Sequence, residues 1–97
     1  MKRLSNKEIL NELLLLNDWV LNDNQITKVY KLNSFMEVMS LANLVSDKSE
    51  QIDHHPKMII DFNQIEFLIT THSEGGITNL DFILASFIEE TYNELFS

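Results

Sequence analysis

Three imidazoles, His54, His55 and His72, are the groups in this chain best suited to exchanging protons near neutral pH. An unperturbed histidine titrates at about 6.5, so it gives or takes a proton there at little cost. A pair of such groups fits a reaction in which a leaving hydroxyl is protonated while a neighbouring nitrogen loses its proton. Glu50 stands four residues before His54, and a helix reaching that far would stack the two on one face. Pro56 follows His55 directly and disfavours helix there, so it reads as a backbone device. Covalent catalysis has no candidate, because the chain has no cysteine and no serine in a nucleophile-elbow pattern. Three histidines are also enough for a catalytic zinc site, but His54 and His55 are adjacent and no His-x-x-x-His helical pair exists, so we expect no metal. A purely structural role for the histidines remains the other alternative.

Capping boxes mark where the elements that position these residues begin. Ser5–Glu8, Ser34–Glu37 and Thr78–Asp81 each place a hydroxyl three residues before a carboxylate, the spacing that satisfies two orphan backbone donors at a helix start. Apolar residues at helical spacing follow each box and predict helices over about 5–17, 34–52 and 78–95. Strands fall between them. Trp19–Leu21 and Gln25–Tyr30 flank the turn-rich Asn22-Asp23-Asn24, and Met58–Phe62 and Ile65–Thr70 flank Asn63-Gln64. The order αββαββα predicts an α+β fold, a four-stranded antiparallel sheet with three helices packed on one face. In that topology His54 and His55 precede the third strand and His72 follows the fourth, so all three meet at one rim of the sheet. The adjacent Gly75 and Gly76 lie between the last strand and the last helix, where they either make a sharp turn or let the backbone approach a ligand closely.

Composition bounds the rest. A length of 97 residues fits one domain spanning 1–97. The formal charge of −8, from seven basic and fifteen acidic residues, opposes direct contact with nucleic acid and with anionic membrane surfaces. No unbroken apolar run exceeds the four residues of Leu13–Leu16, far below the ~20 that span a bilayer. With no long apolar stretch at the N-terminus, a cytoplasmic location is expected.

The run Glu50-Gln51-Ile52-Asp53-His54-His55-Pro56, with Phe62, His72 and Asp81 beyond it, resembles the signature of the pterin-4a-carbinolamine dehydratases. The loop Thr70–Thr78 resembles the family's Thr-His-x-x-Gly-Gly-x-Thr segment, and Leu80–Ala85 resembles its final helix. Trp19, the strand Lys28–Leu32 with Phe35, and the hairpin turn Phe62–Ile65 extend the likeness over about 15–93. The resemblance implies the αββαββα fold and the conversion of 4a-hydroxytetrahydrobiopterin to quinonoid dihydrobiopterin and water, which recycles the cofactor of aromatic amino-acid hydroxylases. It implies no metal and no organic cofactor, a small-molecule pterin substrate, and self-association as a dimer or tetramer.

Carried over by position, His54, His55 and His72 would line the pterin pocket. On this reading His54 and His72 exchange protons with the 4a-hydroxyl and N5, and His55 positions the ring. Glu50, Asp81, Trp19, Pro56, Thr71 and Ser73 would support or bind substrate. Asp81 also completes the Thr78 capping box, and Trp19 is either a stacking platform or a core residue. Ser73-Glu74 stands where many members carry aspartate after the loop histidine, and Leu32 and Leu41 occupy positions that are often aromatic; these departures bear on pocket shape and assembly contacts. The resemblance also leaves two other roles open. One is a protein-interaction module, like the animal members that serve a homeodomain transcription factor as dimerisation cofactors. The other is a different pterin pathway, such as molybdenum-cofactor metabolism.

Overall fold

The computed structural model describes Met1–Ser97. Helix α1 (Asn6–Leu13) leads into strands β1 (Val20–Asn22) and β2 (Gln25–Lys31). Helix α2 (Phe35–Ile52) follows, then β3 (Lys57–Asp61) and β4 (Gln64–Ile69), a short 3-10 turn (His72–Glu74), and α3 (Asn79–Leu95). The four strands form one antiparallel sheet in the order β1-β2-β4-β3, and the fold is the expected α+β arrangement of three helices and a four-stranded sheet. No helix is long and apolar enough to cross a membrane.

All three expected caps form, and at Ser5 and Thr78 both halves of the box are present. Helix α1 ends at Leu13, about a turn short of the expected 17. Its apolar run is not all core: Ile9 and Leu16 are buried, whereas Leu14 and Leu15 are exposed. The amides of Leu15 and Leu16 bond to the carbonyls of Glu12 and Leu13 in a tighter turn, and Asp18 takes a left-handed φ of 64° that swings the chain into β1.

Register separates the two sheet faces. Ile26 and Tyr30 of β2 pair with Ile69 and Ile65 of β4, and all four are buried with Phe67 under the helices. The core joins this face to Val38, Leu41 and Val45 of α2 and to Leu84 and Ile88 of α3. Thr27 and Lys57 both pair with Leu68, so these three residues lie on the opposite face, which no helix covers.

Trp19 is 3% exposed and belongs to this core. Of its two readings, stacking platform and core residue, burial matches the second: its ring meets Tyr30 edge-on, and its indole N–H donates to the Tyr30 hydroxyl at 3.0 Å and to Glu89 Oε1 at 3.3 Å. Tyr30 and Lys28 donate to the same Glu89 oxygen, Lys28 at 2.8 Å. Burial is the largest single influence on the Glu89 carboxyl and pushes its pKa up, but the Lys28, Tyr30 and Trp19 donors together hold it below the usual carboxylate value. A depressed folded-state pKa contributes stability above the unfolded pKa that is lost as pH falls through the folded one. We therefore expect Glu89→Gln to lower stability at pH 7 by about 1–3 kcal/mol. Urea unfolding should show the gap between wild type and variant closing as pH falls below the usual carboxylate range; a gap unchanged with pH would contradict this account.

Candidate active site

The C-terminus of α2 divides the adjacent histidines. Asp53 adopts φ 52°, ψ 48°, and the amides of Asp53 and His54 return to the carbonyls of Glu50 and Ser49. This Schellman closure ends the helix and turns the chain sharply. As a result His54 is buried, at 9% exposure, and His55 faces solvent. Half-buried Pro56 then leads into β3.

His72 reaches the same end of the molecule on a closed loop. Beyond β4, Thr71 and Gly76 exchange two backbone hydrogen bonds of 3.1 and 3.3 Å, and His72, Ser73 and Glu74 form the exposed turn they enclose. Gly75 has φ +71°, a conformation that opposes any Cβ. Gly76 meets a different constraint, since a Cβ there would lie 2.7 Å from Arg3 Cδ. The glycine pair is thus used for one turn and for one close approach by the chain's own N-terminal segment.

Asp81 ties the two histidine-bearing segments together. It is fully buried at the first turn of α3. Its Oδ2 accepts from the Thr78 amide and the Thr71 hydroxyl, both at 2.8 Å, while Oδ1 faces His54 Nε2 at 2.6 Å. The cap on Thr78 and the contact with His54 are made by different oxygens of one carboxylate. Because the carboxylate only accepts, His54 carries its proton on Nε2. Nδ1 has no partner within the chain, and no buried side-chain nitrogen or oxygen is without one, so Nδ1 reaches solvent. Thr71 donates its single hydroxyl proton to Asp81, and Thr78 therefore donates in the 2.9 Å bond between the two threonines.

Glu50 bonds to His55, with Oε2 2.5 Å from Nε2, and not to His54 as its i+4 spacing implied. The helix stops at Ile52, before that spacing can act, and the turn at Asp53 sends His54 inward. Ser73 is exposed and makes no side-chain contact that fixes the site.

His55 and His72 border a cleft of about 480 Å3 on the uncovered sheet face, within the size range of small-molecule sites. Its floor includes Leu68 and Thr70 of the β4 end; Lys57 stands beside His55, and Asp23, Asn24 and Gln25 of the β1–β2 hairpin form the far side. His54, expected at the same rim, is turned inward by the Asp53 turn and is not among the residues that line the cleft. A hollow of about 540 Å3 on the helical side is bordered by Lys48, Phe82, Ile83 and Phe87 and has no histidine. No three ligating side chains converge on a common point. The hairpin residues and Lys57 escaped the sequence reading, because only the strand order brings β2 and β3 to opposite sides of β4.

Known proteins resemble this chain in sequence and fold. The pterin 4 alpha carbinolamine dehydratase family profile matches residues 2–91. A relative from Sulfurisphaera tokodaii, provisionally named a pterin-4-alpha-carbinolamine dehydratase, is 39% identical over 90 residues, covering 93% of this chain and 97% of its own. A relative of the same provisional name from Chloroflexus aurantiacus is 37% identical over 90 residues, with the same coverage. The crystal structure of a transcriptional coactivator/pterin dehydratase from Brucella melitensis superposes with a TM-score of 0.89 at 28% identity, covering 92% of this chain and 97% of that one. With its fold, its histidine-bearing segments and nearly its whole length matched, the chain belongs to the pterin 4 alpha carbinolamine dehydratase family.

Proposed function

We propose that this protein dehydrates 4a-hydroxytetrahydrobiopterin to quinonoid dihydrobiopterin by histidine acid–base catalysis, as a step in tetrahydrobiopterin recycling. The C4a–O bond breaks as an imidazolium delivers a proton to the departing hydroxyl, which leaves as water. The N5 lone pair forms the C4a=N5 bond, and a neutral imidazole takes the N5 proton. His54 and His72 exchange these protons, while His55, held by Glu50, positions the ring. The observation that carries this reading is the Asp81–His54 pair, which fixes the tautomer and leaves Nδ1 as the one free polar atom of the ring next in sequence to the cleft residue His55.

The family match and the provisional names of the relatives support the substrate class. We further propose a cytoplasmic enzyme that needs no metal or organic cofactor and that assembles with copies of itself. Exposed Val20, Val29 and Ile59 on the uncovered sheet face support the assembly. The name of the Brucella structure favours a second reading, a coactivator role; the charge of −8 steers that role toward protein partners and away from DNA.

The deciding experiment follows the decay of freshly generated pterin-4a-carbinolamine. The purified protein is expected to accelerate water loss in proportion to its concentration. Decay at the buffer rate would leave the interaction role as the better reading.

A further inference from the structure

We propose that the tip of the β1–β2 hairpin, Asp23 with Asn24 and Gln25, is the specificity-determining wall that reads the 2-amino-4-oxo edge of the pterin. This inference rests on the reading that the ring lies in the histidine cleft.

The cleft has two unlike sides. Proton-exchanging groups sit on one, at the start of β3 and on the loop after β4; on the other stand a carboxylate and two carboxamides. Asp23 takes no part in the ion pairs of the chain, and the side chains of Asn24 and Gln25 are not drawn into hydrogen bonds elsewhere in it. All three have donors or acceptors to spare, in a cleft with a single apolar lining residue, Leu68.

The dimensions suit a two-ring heterocycle. β2 and β3 flank β4, and adjacent strands lie ~4.8 Å apart, so the two walls are separated by roughly 10 Å. A flat ring system lying across Leu68 places one end at His55 and His72 and the other at the hairpin.

Hydrogen-bond types select which end goes where. The 2-amino group and N3–H of a pterin are parallel donors, and the adjacent O4 is an acceptor. The matching wall offers two acceptor oxygens side by side and then a donor. Asp23 supplies the two oxygens, and a carboxamide N–H of Asn24 or Gln25 supplies the donor. The histidines supply no such pair of acceptors, so the ring enters with C4a and N5 toward them. Asp23 is held in place by its backbone, with φ 55° at the hairpin tip, a conformation that aspartate and asparagine tolerate. Of the remaining cleft groups, Lys57 beside His55 is a cation and repels the two donors of this edge, which reinforces the same orientation.

The test compares a tetrahydropterin with its 2,4-dioxo analogue, in which the 2-amino donor is replaced by an acceptor, for wild type, Asp23→Asn and His55→Ala. Binding is read by titration and turnover by carbinolamine decay. Asp23→Asn keeps the left-handed turn and replaces one acceptor by a donor. It is expected to weaken tetrahydropterin binding about 10- to 100-fold, with KM rising far more than kcat changes, and to bring the preference for the 2-amino ring close to unity. Unchanged affinity and preference in Asp23→Asn, with His55→Ala weakening binding, would overturn the hairpin wall while leaving the cleft as the pterin site. Unchanged pterin affinity in both variants would overturn the cleft reading, and this inference with it.

Discussion

Alanine at His72 or at His54 is expected to lower kcat for carbinolamine dehydration by about 10²–10⁴-fold, the range attributable to a positioned acid or base. The two variants separate chemistry from folding. His72 is exposed on its turn and its ring has no partner, so its removal should change stability by no more than about 0.5 kcal/mol. His54 is buried against Asp81, and its removal leaves one carboxylate oxygen without its donor, at a cost of about 1–3 kcal/mol. His55→Ala, by contrast, should raise KM more than it lowers kcat, since that ring is held by Glu50 at the cleft wall. Steady-state kinetics beside thermal unfolding check all three. Wild-type kcat in both His54→Ala and His72→Ala would remove the proton-transfer assignment.

Asp81 should show the second large effect, split between two substitutions. Asp81→Ala strips acceptors from the Thr78 amide, the Thr71 hydroxyl and His54 together. Leaving three buried donors without their acceptor costs at least about 3 kcal/mol, a large share of a small domain's stability. Asp81→Asn is more informative. The Thr78 amide can only donate, so the carboxamide oxygen of the variant must face it. The carboxamide nitrogen then faces His54 Nε2, which must become an acceptor, and the ring proton moves to Nδ1. A correctly folded protein with the wrong tautomer should lose about 10²–10⁴ in kcat with KM little changed. Nitrogen NMR of the His54 ring reads the protonated atom directly. Full turnover with the proton moved, or retention of the Nε2 tautomer, would show that Asp81 acts only as a cap.

Local signals in the sequence were reliable where a short segment decides its own structure. The three capping boxes set the helix starts, period-two alternation in Ile65-Glu66-Phe67-Leu68-Ile69 set the buried face of β4, and hairpin topology put two of the three histidines, His55 and His72 but not His54, on one cleft. The misses share a cause, namely that tertiary geometry overrode a local pattern. Glu50 has helical spacing to His54, but the left-handed Asp53 ends the helix first and gives the carboxylate to His55. The run of leucines after Leu13 resembles a helix stripe, yet only Leu16 has core to enter. Trp19 is left open by the sequence between stacking platform and core, because the partners that satisfy its indole N–H, Tyr30 and Glu89, are distant and no motif links them to it.

The strand order has one more consequence. Each hairpin closes from neighbouring residues, but the two are stitched together only by the pairing of β2 with β4, which joins distant parts of the chain. The cleft straddles that stitch: its imidazoles and floor come from one hairpin and its far wall from the other. Neither half-molecule holds the cleft by itself. On the proposed reading, turnover requires this least local pairing, and a newly made chain is expected to stay silent until its two halves have met.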